Sequence, residues 1–138
     1  MLGLDRSKSL SAVLVLAAAG TVVLHLTLIP RYFPDRLLRL LPALFAGWGT
    51  FTLVFYVVGR LVTPPAGLPN MRTIDYGAGL VVLSLLLSGL LFGIGFSIRS
   101  VTELHLALAP GLYVGLALVG WGFGRRTAVT NRIASGSA

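Results

Sequence analysis

Four long apolar stretches alternate with short polar connections along this chain. Their charge-free cores cover residues 9–29, 41–59, 76–98 and 104–124, and the eleven Lys and Arg and four Asp and Glu all lie outside them. A bilayer hydrocarbon core of about 30 Å is crossed by about 20 helical residues, so each stretch has spanning length. Charged side chains are costly at bilayer depth, which gives their exclusion an economical cause. A soluble helix would show a polar face every 3.6 residues, whereas residues 53–58 and 80–87 are apolar almost all round. The pattern predicts an all-α, polytopic integral membrane protein. Four transmembrane helices, at about 9–29, 41–62, 76–98 and 104–124, form an up-and-down bundle within a single membrane domain, 1–138.

The connections add detail. The first mixes Tyr32 and Phe33, suited to the headgroup layer, with Arg31, Arg36 and Arg39. Asp35 is placed to cap a helix starting at Arg36, and Pro42 implies a short interfacial helical turn before the second span, with a kink or fresh start there. The second connection holds Pro64, Pro65, Gly67 and Pro69 and cannot be helical. In the third, Ser100-Val101-Thr102-Glu103 matches a capping box, which gives the only Glu a structural role and makes spans three and four an antiparallel hairpin. Pro110 is expected to bend span four, and the small, polar tail 125–138 reads as disordered. The basic start and Ala17-Ala18-Ala19-Gly20 resemble a signal peptide, but apolar sequence continues to Ile29 and favours an uncleaved first helix.

Composition then narrows the partners. With 56% hydrophobic residues and a mean hydropathy of +0.91, little is left for a water-soluble domain. The net charge of +7 comes from cations placed singly or in pairs at span ends, which suits membrane flanks rather than nucleic acid. Arg6, Lys8, Arg60, Arg72, Arg125, Arg126 and Arg132 fall on one side of the four spans, and Arg31, Arg36, Arg39 and Arg99 on the other. Seven against four places both termini on the cytoplasmic side of the cell membrane.

Chemistry is sparse. The chain has no Cys, so thiolate chemistry and Cys-ligated metals are excluded. It carries no HExxH, P-loop or credible Ser/His/Asp order, and no metal site is expected. Thr50, Thr52, Ser84 and Ser88 are the mid-span polar groups, each expected to bond its own i−4 carbonyl. With no ionisable group at mid-depth, coupled transport lacks its usual machinery. The one chemical lead is His25 near the end of span one and His105 at the start of span four. The topology brings both toward the outer face, an arrangement able to hold a b-type haem through two imidazoles, with Arg31 and Arg99 near the propionates. Trp121 and Phe123 suit the cytoplasmic aromatic belt, whereas Trp48 is expected to pack between helices.

Small residues recur at four-residue spacing. Gly89 and Gly93 form GxxxG in span three, and Ala107, Gly111 and Gly115 form a stripe in span four. Such lines let helix backbones approach closely where lipid offers no hydrophobic driving force. The leading expectation is therefore a non-catalytic membrane component, an accessory or scaffold subunit packing against a membrane-protein partner or itself through these faces. The alternatives are a bis-His haem electron-transfer protein and a small oligomeric channel or carrier for a neutral or lipid-like solute.

Overall fold

The computed structural model describes residues 2–64 and 67–136, with side chains from Ser7 onward. The Arg6 side chain, Pro65 of the expected proline-rich connection and the last two residues of the tail lie outside the described residues. The description is all-helical: α1 Leu2–Val23, a π-helical turn Leu24–Leu28, α2 Ile29–Tyr32, α3 Leu37–Val62, α4 Arg72–Gly93 and α5 Thr102–Ala134. Continuous helix from Ser7 to Tyr32, together with α3, α4 and α5, gives four helices long and apolar enough to cross a membrane.

Glycine sets how these helices meet. On α5, Gly111, Gly115 and Gly122 face α4: a Cβ at each would stand 2.8 Å from Ser84, 2.6 Å from the Gly77 carbonyl and 2.5 Å from Ile74. Gly120 and Gly124 instead face α3, where a Cβ would fall 2.4 Å from the Thr52 carbonyl and 2.1 Å from that of Tyr56. At about 100° per residue these two sets lie on opposite flanks of α5. Helix α3 is two-sided in the same way. Gly47 and Thr50 meet the α1 side, at His25 and Gly20, while Thr52, Tyr56 and Gly59 meet α5. Contact order falls between α4 and α5, making them antiparallel, and rises together between α3 and α5.

The helices therefore stand in a row, α1–α3–α5–α4, and not as a ring in which each touches two neighbours. Among the described residues α1 and α4 do not meet. A row has two broad faces and little interior, and the buried apolar set is correspondingly small: Ala17, Leu40, Ala43, Val57, Ile74, Leu112 and Val129. Many large apolar side chains stay exposed, Leu16 on α1, Leu26 in the π turn and Leu86 on α4 among them. In water that surface would drive aggregation; it suits an apolar solvent.

Several local expectations are corrected. Helix α3 runs from Leu37 through Pro42 without a break, in place of a separate interfacial turn and fresh start. Pro42 is the sixth residue of α3, so the helix continues past it with the Leu38 carbonyl lacking its usual i+4 donor. Asp35 does not cap α3; it pairs with Arg99 at 3.3 Å, tying the α1–α3 connection to the α4–α5 connection. The capping box is also not formed. The Ser100 hydroxyl donates to the Ser97 carbonyl and accepts from the Ser97 hydroxyl, and α5 starts at Thr102 with Val101 at its cap and no side-chain cap bond. Helix α4 stops at Gly93 rather than at residue 98. Gly95, with φ +102°, sits at C′ of a Schellman motif closed by Phe96 N–H to Leu91 O at 2.8 Å and Gly95 N–H to Phe92 O at 3.1 Å.

The tail is corrected as well, because α5 continues to Ala134. Its 33 residues make a helix of about 50 Å. Two arginines on the extension hold the α3–α4 connection: Arg126 donates to the Pro69 carbonyl and Arg132 to the Thr63 carbonyl. Arg125 lies over the Trp121 ring and Arg60 over that of Tyr56. These contacts supply local partners that a sequence of small polar residues does not advertise.

Candidate functional site

His25 belongs to the π-helical turn that joins α1 to α2. Such turns widen the helix and often mark functional positions. Its Nδ1 lies 2.8 Å from the Thr21 carbonyl, which only accepts, so Nδ1 carries the proton. Nε2 is then the acceptor for the Tyr113 hydroxyl of α5, at 2.6 Å. One neutral tautomer satisfies both bonds. Gly47 of α3 makes this reach possible, since a Cβ there would meet His25 Cε1 and Ile29 Cδ1 at 3.0 Å each. Around the pair, Phe51 packs at right angles to Tyr113 with centroids 5.0 Å apart, and the His25 and Tyr113 rings meet edge-on at 5.3 Å. The Trp48 indole N–H is buried beside this cluster without a partner of good geometry, although it approaches the Tyr113 hydroxyl.

His105 is held differently. It is 8% exposed, and its Nε2 lies 2.9 Å from the Phe96 carbonyl, so this ring carries its proton on Nε2. Nδ1 accepts from the Ser88 hydroxyl of α4 at 2.6 Å. The imidazole thus fastens the first turns of α5 to α4 and to the segment after the Schellman turn. Ser88 here serves another helix rather than its own i−4 carbonyl, unlike Thr50 and Thr52, which bond Ala46 and Trp48 as expected.

The structure does not bring the two histidines onto a common partner. His25 belongs to the α1–α3–α5 side of the row and His105 to the α5–α4 side. Both nitrogens of each ring are engaged by protein groups, so a haem iron at either would require release of a hydrogen bond. Arg99, expected near a propionate, pairs with Asp35. Among the described residues there is no cluster of three or more His, Asp or Glu able to hold a metal ion.

The small-residue positions divide into two classes. Gly111 and Gly115 are consumed within the molecule, against Ser84, Gly77 and Val81 of α4. Gly89 and Gly93 are not: a Cβ at either meets nothing within 4 Å, and the same holds for Gly79. At about 100° per residue Gly79, Leu86, Gly89 and Gly93 share the flank of α4 that points away from α5. Ala107 is exposed as well. The row therefore ends in a glycine-bearing edge on α4 and a bulky aliphatic one on α1 and the π turn, where Val15, Leu16 and Leu26 are exposed.

Sequence reasoning missed Tyr113 as the partner of His25 and Gly47 as the residue that admits the ring. A 3.6-residue repeat does not reveal a π turn, and no motif marks a tyrosine one helix away. The Gly120-Trp-Gly-Phe-Gly124 run was legible only in part. Its alternation sends Gly122 to one neighbour and Gly120 and Gly124 to the other, leaving Trp121 and Phe123 exposed. No known protein family, curated protein or solved structure matches this chain.

Proposed function

We propose that this chain is a four-span integral membrane protein acting as a non-catalytic packing subunit, which joins a membrane-protein partner or a second copy through the outer edge of α4. The observation that carries this reading is the open space at Gly79, Gly89 and Gly93 on one flank of a helix already packed on its other flank. Inside this row Gly59, Gly77, Gly115, Gly120 and Gly124 each admit the backbone of a neighbouring helix, and lipid alone gives no reason to prefer glycine over leucine on an exposed edge. The imidazoles fit a structural role, since each is fully hydrogen-bonded and ties helices together. Alternating helix directions agree with an up-and-down passage across the cell membrane, and the cation count agrees with cytoplasmic termini.

Blue-native electrophoresis of the full chain from mild detergent tests the assignment. A band containing more than one copy, or a co-migrating membrane protein, is expected. A strictly monomeric particle with no co-purifying protein would sink the idea.

A further inference from the structure

We propose that the cleft between the α1–α3 and α4–α5 connections binds the phosphodiester headgroup of an anionic lipid. The cleft has a volume of about 460 Å³ and is lined by Arg36, Arg39 and Arg99, with Ser97, Asp35 and Leu38 among the remaining walls. That volume falls in the usual range for small-molecule sites, about 300–1,000 Å³. Three arginines and one carboxylate line the cleft, and Asp35 is already committed to Arg99 at 3.3 Å. Neither Arg36 nor Arg39 has an acceptor or carboxylate partner among the described residues. Guanidinium forks match phosphate oxygens in two-point hydrogen bonding, and the Ser97 hydroxyl adds a smaller donor.

The lipid rather than a free anion is favoured by what adjoins the charge. Leu38 lines the same cleft and is 88% exposed, and Leu41, one turn along the same face of α3, is also exposed. Guanidinium groups at the end of an apolar helix, with uncovered leucines directly below them, match an amphiphile carrying phosphate above its acyl chains. Nucleic acid is disfavoured because, among the described residues, no aromatic side chain lines the cleft. This inference rests on the membrane reading above.

Native mass spectrometry of the full chain in neutral detergent, offered equal amounts of phosphatidylglycerol and phosphatidylcholine, provides the test. Phosphatidylglycerol should be retained about tenfold over phosphatidylcholine, and the double variant Arg36→Gln/Arg39→Gln should bring the ratio close to one. Arg31→Gln, at the same end but outside the cleft, should leave the ratio unchanged. No preference in the parent chain, or an equal loss in Arg31→Gln, overturns the site. Displacement of the lipid by millimolar inorganic phosphate overturns the lipid assignment in favour of a soluble phosphate. Carbonate extraction of expressing cells reports on the membrane reading separately. Release into the supernatant overturns that reading together with the lipid, whereas retention without lipid preference overturns the lipid site alone.

Discussion

Replacing Gly124 by Ala should separate α3 from α5. An added Cβ would stand 2.1 Å from the Tyr56 carbonyl oxygen, 2.9 Å from its carbon and 3.1 Å from the Arg60 nitrogen. All three neighbours are backbone, so no rotamer change relieves the clash. Restoring even a 3.0 Å approach to the oxygen requires the helices to part by about 0.9 Å. A gap of that order forfeits about a quarter to a half of the dispersion energy of the atoms it separates, here along Thr52–Gly120 and Gly59–Trp121 as well. Overpacking of this kind costs about 1–3 kcal/mol, while Ala gains up to about 1 kcal/mol over Gly in helix propensity. With the full propensity gain the net expectation is a loss of up to about 2 kcal/mol. Gly49→Ala is the matched control, because open space at that position on α3, rather than on the α4 edge, keeps the propensity gain without the clash. Reversible unfolding in mixed micelles of mild and denaturing detergent, followed by tryptophan fluorescence, reads both. The reasoning is refuted if Gly124→Ala proves as stable as Gly49→Ala.

Three further substitutions probe other joints in the same titration. Tyr113→Phe removes the donor to His25 Nε2 and should cost about 1 kcal/mol; parental stability would deny the bond. Ser88→Ala leaves a buried imidazole nitrogen unpaired at His105 and should cost about 1–3 kcal/mol, so a neutral result would show that another group satisfies it. Gly95→Ala forces a side chain into φ +102° and should lower stability by about 1–2 kcal/mol with unchanged helical circular dichroism. An equally stable variant would mean that the Schellman turn is not what ends α4.

The four helices were legible because charge exclusion and length are properties of a stretch, read without knowing its neighbours. Their ends were less so. Ser100 and Glu103 have capping-box spacing, but the competing bonds from Ser100 to Ser97 depend on the turn made by Gly95, which a hydropathy reading runs straight through. Asp35 looked like a cap because its best partner, Arg99, is far along the chain. The tail hid its helix because its Arg126 and Arg132 donate to carbonyls of the α3–α4 connection, which is distant in sequence. Glycine spacing alone could not separate Gly111 and Gly115, used inside the row, from Gly89 and Gly93, left outside. That distinction depends on which neighbour stands on which flank. The histidines show the same limit: topology put them toward one end, while their partners assigned them to different helix pairs.

The central claim is that the α4 edge meets another protein while the α1 edge does not. A photoreactive benzoylphenylalanine in place of Leu86, on the glycine-bearing flank, and separately in place of Leu16, on α1, tests it by irradiation of intact membranes. Both positions are well exposed, at 65% and 73%, so reactivity with lipid should be similar. The account predicts a discrete protein adduct from position 86 and none from position 16. Lipid adducts alone from both positions would contradict it.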